Sequence, residues 1–172
     1  RARLARRPAG VNHRFICCPF LVLLVAHTEF LVSAIVPSVA FSRLPLAAAG
    51  PISLVFDIVS AAALLAVLVA LGRRFFFVPA YLETRYVKAR SVDALLILSF
   101  IAILMVAFFV KHGVDLLEGD PAARAWAPVS GLAAAILGGL PGSALSAIGT
   151  AAWWVHAVVL LAFLNYLPFG KH

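Results

Sequence analysis

Long apolar runs separated by short clusters of charge and proline dominate the chain. The first run, 15–41, is broken only by His27, Glu29 and a few hydroxyls, long enough to cross a bilayer with tilt. After Arg43 and Pro45, Pro51 suits the first residue of a second helix over 52–72, which Asp57 alone interrupts and Arg73-Arg74 stop. A loop with Tyr81, Glu83, Arg85, Lys88 and Arg90 leads to Ser91 or Asp93 as the cap of a third helix, 94–110, ended by Lys111-His112-Gly113. Residues 115–128 are polar and acidic, and 131–140 are apolar but too short to span, which predicts an interfacial helix. The last run, 146–169, carries Trp153-Trp154 toward one end and Tyr166, Pro168 and Phe169 at the other. No repeat recurs, and the pattern predicts an all-α bundle of four membrane spans in a single domain.

Composition agrees: of 172 residues 64% are hydrophobic and only 12% charged, about half the usual charged share, which excludes a soluble globule. The net charge of +7 would suit nucleic acid only on a soluble basic face, so it is read as topology and no nucleic-acid partner is expected. Four crossings put Arg1, Arg3, Arg6, Arg7, Arg14, Arg73, Arg74, Arg85, Lys88, Arg90 and Lys171 on one side and Arg43, Lys111 and Arg124 on the other. Both termini are therefore expected in the cytoplasm. Adjacent Cys17 and Cys18 lack a second pair at zinc spacing and read as inert. Opening on Arg1 rather than Met, the chain reads as a processed form or a fragment.

Ionisable groups at membrane depth are costly and mark cofactor, ion or substrate paths. Here they are His27, Glu29, Asp57 and His156, with His13 and His112 nearer the two surfaces. His13, Cys17, Phe20 and His27 share one helical stripe. At about 1.5 Å per residue, His27 stands roughly 20 Å above Arg14, and His156 roughly 18 Å above Pro168 on an oppositely directed helix. Two level histidines on facing helices are what a six-coordinate b-type haem requires. The alternatives are histidines bonded singly to carbonyls, or a zinc site, for which Glu29 alone offers a further ligand. Asp57 suits either proton exchange with a quinone or a helix–helix hydrogen bond. Glu29 points to another face than His27, where it would serve protons or support a ligand, and His112 reads as interfacial and solvated.

Trp153-Trp154-Val155-His156 and the closing Phe163-Leu164-Asn165-Tyr166-Leu167-Pro168-Phe169-Gly170-Lys171-His172 resemble the last helix of the respiratory nitrate reductase gamma subunit family, a dihaem cytochrome b fold. Gly72-Arg73-Arg74-Phe75, Pro79 and Ser91-Val92-Asp93-Ala94 are similar to a helix link of that family, and His13-Arg14-Phe15-Ile16-Cys17-Cys18-Pro19-Phe20 to its other histidine-bearing helix. The nearest likeness is to members fused to, or paired with, heterodisulfide-reductase-like iron–sulfur oxidoreductases. The resemblance implies a distal haem b held by His27 and His156, and a proximal one held by His13 and a histidine at or just after His172. The family spaces its paired histidines about ten apart; here Leu23 stands at that position, His13 and His27 are fourteen apart, and one family span is missing.

The expected function is a membrane cytochrome b module. It would carry electrons between a cytoplasmic iron–sulfur subunit or fused domain and the menaquinone or ubiquinone pool, with two haems or one. An electron-transfer flavoprotein or another dehydrogenase would stand upstream, and Asp57, Glu29 and His112 are the quinone or proton candidates. The rivals are a non-redox tetraspan scaffold and a small proton-coupled transporter subunit; the absence of paired broken helices counts against the latter.

Overall fold

A computed structural model describes residues 8–76 and 92–166, with side chains from Leu21 onward, Ser42 excepted. Five helices account for most of it: α1 Pro8–Ile35, α2 Leu46–Phe75, α3 Val92–Glu118, α4 Pro128–Leu137 and α5 Gly142–Tyr166. Three of them, α2, α3 and α5, are long and apolar enough to cross a membrane. The part of α1 with described side chains, Leu21–Ile35, is apolar but shorter. Outward positions are apolar in kind, Ile136 being 82% exposed, Leu132 66% and Leu65 64%, as expected of surfaces that face lipid rather than water.

α3 is the central element and packs against α2, α4 and α5. Leu104, Met105 and Phe109 of α3 join Leu160 of α5 in the main core, and Gly149 of α5 brings its backbone close to Val114. At the opposite end from α4, Tyr166 Oη donates to Asp93 Oδ1 at 2.7 Å and ties the end of α5 to the start of α3. The described part of α1, Leu21–Ile35, is held by α2 and by rings that reach α5.

Element ends depart from the sequence reading for identifiable reasons. α1 stops at Ile35, not 41, because Pro37 disfavours helix at the residue before it, and short 3-10 turns Pro37–Val39 and Phe41–Arg43 follow. α2 begins at Leu46, not 52: the Pro45 carbonyl accepts from the Ala48 and Ala49 amides, and Pro51 lies inside the helix. Lys111-His112-Gly113 does not end α3, which runs on to Glu118. Gly113 there lets α4 approach until a Cβ would stand 2.9 Å from Ala133 Cβ, so the glycine is a packing position and not a stop. The short apolar helix is Pro128–Leu137, three residues earlier than expected, and α5 starts at Gly142.

Candidate functional site

Two centres lie in the half of the bundle near α4. The first is the meeting of α1 with α5. The His27 and His156 rings stack with centroids 5.2 Å apart and planes 26° apart, so the equal depths inferred from opposed helices correspond to direct contact. Phe30 lies 4.5 Å from the His156 ring and 5.5 Å from that of Trp153. Rings, rather than close backbone approach, bridge α1 and α5.

The hydrogen bonding of the pair is asymmetric. A carbonyl can only accept, so His27 Nδ1 carries the proton it gives to Leu23 O at 2.5 Å, and Nε2 keeps a bare lone pair. Among the described residues that Nε2 is buried without a hydrogen-bond partner. His156 is 5% exposed and lies beside the backbone of Leu104 on α3. A ring fixed through one nitrogen to a carbonyl, with the other nitrogen free and buried, is the arrangement of a metal-ligating histidine. Among the described residues no three His, Cys, Asp or Glu side chains gather around a common point, so a bare ion lacks a ligand set. A haem needs only two protein ligands, because the porphyrin supplies the rest. The cavity against the two rings is about 140 Å³, and their face-to-face stacking must open before both Nε2 atoms can address one iron.

The second centre is a polar network where α2, α3 and α4 meet. Asp57 is fully buried. Its Oδ2 accepts from the Val129 amide at 2.7 Å, and its Oδ1 accepts from the Ser130 amide at 2.9 Å and Ser130 Oγ at 2.5 Å. The carboxylate thus caps α4 from another helix, using amides that α4 leaves unpaired, where the helix dipole favours a negative charge. His112 is half-buried: Nδ1 lies 3.0 Å from Ser130 Oγ and Nε2 3.4 Å from Ser53 Oγ, and the ring borders a neighbouring cleft. Glu29 Oε1 accepts from the Phe41 amide at 3.0 Å and braces the turn after α1. Lys111 pairs with Asp115 one turn on.

A cleft of about 790 Å³ opens beside this network, lined among others by Glu29, Ser53, His112, Trp126 and Trp153. The smaller cavity also touches Glu29, Lys111, His112 and Asp115, so the histidine pair and the cleft share a wall. Of the predicted residues, the structure brings His27 to His156 and Asp57 to His112, and sets Glu29 between the two groups. The His13 side chain and all of His172 lie outside the described residues. Ser53 and Ser130 were missed. Ser53, Asp57 and Ser60 recur at helical spacing, a polar stripe on an apolar helix that marks an inward face; Ser130 carried no comparable signal.

No protein-family model matches the chain, and no solved structure does. The chain is similar to the probable iron-sulfur-binding oxidoreductase FadF of Bacillus subtilis (strain 168), at 25% identity over 169 residues covering 98% of this chain. It spans 23% of that curated relative's length. Apart from that similarity, the three long apolar helices are compatible with a membrane protein.

Proposed function

We propose that the chain is a membrane cytochrome b module that crosses the bilayer four times with both termini in the cytoplasm. It passes electrons between an iron–sulfur subunit or domain and the membrane quinone pool. The observation that carries this is the orphaned, buried Nε2 of His27 beside His156, on two helices separated by rings. His27 and His156 would hold one haem b; His13 and a histidine at or beyond His172 would hold a second on the cytoplasmic side. The haem would supply one-electron chemistry whose potential follows from bis-imidazole ligation and burial. This chain's residues fix one ligand tautomer through Leu23, exclude water with Phe30 and Met105, and provide the neighbouring cleft for a quinone. The likeness to an iron-sulfur-binding oxidoreductase supports the iron–sulfur partner.

The test is a dithionite-reduced minus oxidised spectrum of the purified protein, with haem counted per chain on a form extended past His172. The expected result is a sharp low-spin b-type α band that His156→Ala abolishes or halves. His13→Ala should leave one haem where there were two. A colourless protein from haem-replete cells overturns the proposal.

A further inference from the structure

We propose that Asp57, Ser130 and His112 form a proton relay that makes His112 Nε2 the proton-accepting atom of the cleft, acting on the hydroxyl of a hydroquinone-class ligand. This rests on the quinone-linked reading above.

Counting donors fixes the tautomer of His112. The Asp57 carboxylate only accepts, and one of the three protons it receives is that of Ser130 Oγ. A hydroxyl has a single proton, so toward His112 Ser130 Oγ can only accept, and the proton on the 3.0 Å contact belongs to His112 Nδ1. The neutral ring then carries its lone pair on Nε2, where Ser53 Oγ at 3.4 Å is a weak donor that a ligand can displace. Both Ser53 and His112 line the cleft. An acid orienting a histidine through one nitrogen, leaving the other as base, is the logic of hydrolytic triads, here with a serine between acid and base.

The step is a proton transfer: the ligand's O–H bond breaks, an Nε2–H bond forms, and the ligand is left as the anion that gives up electrons most readily. No electron moves in this step, and in the opposite direction the imidazolium returns the proton. Buried Asp57 faces the imidazolium charge through Ser130. Among the described residues, the other ionisable groups lining the cavities beside His112 are Lys111 and Asp115 of α3, paired with each other, Glu118 and Asp120 at and after the end of α3, Glu29 of α1, and His27 and His156 across the smaller cavity; α4 contributes Ser130.

The test follows the reduction of the full-length protein's chromophore by menadiol between about pH 5 and 8. The wild-type rate should rise with pH as the base loses its proton. His112→Gln should be about 10²-fold slower with a flat profile. Ser130→Ala keeps both amide bonds to Asp57 but cuts the link, so the pH limb should move while the α band stays. Apart from turnover, histidine 15N spectra should show His112 protonated on Nδ1 in the wild type and lose that preference in Ser130→Ala. A coloured His112→Gln protein with wild-type rate and pH limb, or a wild-type His112 protonated on Nε2 alone, overturns the relay and leaves the haem reading standing. A colourless wild type overturns both.

Discussion

Asp57 shows how one side chain joins elements remote in sequence. Its acceptors hold two amides and a hydroxyl from residues 72 and 73 positions away, and each donor orphaned in a buried site costs about 1–3 kcal/mol. Asp57→Ala leaves all three without their partner and should undock α4. Asp57→Asn keeps the shape but points an amide donor at another donor, costing about 1.5–3 kcal/mol. The expected order of thermal midpoints in detergent is wild type, then Asn, then Ala, and an Asn variant as stable as wild type would mean that the charge does not matter to the cap. At this scale the sequence identified which residues stand out but not what they touch. Asp57 is conspicuous as a lone acid in an apolar helix, yet nothing local points to Val129 and Ser130. Likewise nothing beside His112 in the sequence points to the serines of two other helices, Ser53 and Ser130, that stand next to its ring nitrogens.

Among helices, glycine position decides how closely backbones meet. A Cβ at Gly113 would stand 2.9 Å from Ala133 Cβ and 3.0 Å from the Ala134 amide nitrogen, whereas one at Gly72 meets nothing within 4 Å among the described residues. Gly113→Ala should therefore cost about 1–3 kcal/mol by overpacking the α3–α4 contact. Gly72→Ala should be neutral or stabilise α2 by up to about 1 kcal/mol. Paired melts of the two variants separate close packing from helix propensity, since propensity alone would stabilise both. The same contact explains why α3 was read two turns short. Lys111, His112 and Gly113 form a stop signal in isolation, but Lys111 pairs forward with Asp115 and Gly113 admits α4, so the helix continues. The apolar runs of α2 and α5 were legible because hydrophobic length needs no partner to be recognised; their ends were not, because Pro45 and Pro141 carbonyls receive the first amides of those helices.

For the molecule as a whole, charge asymmetry and the light attachment of α1 carry the remaining predictions. If all four long segments cross, the α3–α4 connection faces the side opposite the termini. In a background with Cys17 and Cys18 replaced by serine, Asp120→Cys should react with an impermeant maleimide in intact cells. Ala2→Cys and Arg74→Cys should react only after lysis. Labelling of Ala2→Cys in intact cells would mean that α1 does not cross, leaving three spans. That outcome bears on function, because only a crossing α1 delivers His27 to the depth of His156. Composition pointed to the membrane-compatible character, and opposed helix directions pointed to the nearness of His27 and His156; the stacking of their rings was not legible, since ring orientation depends on side-chain packing between α1 and α5. On the proposed haem reading the rings would have to part for a porphyrin, and the described part of α1, held mainly by α2 and by ring contacts, is a lightly packed wall. Ligand binding stabilises the state that holds the ligand, so haem should slow amide exchange across Leu21–Ile35 well beyond its effect on Leu104–Phe109 of the α3 core. Equal protection of both segments would place the opening elsewhere in the bundle. Protection confined to α1 would identify it as the wall that moves to admit the cofactor.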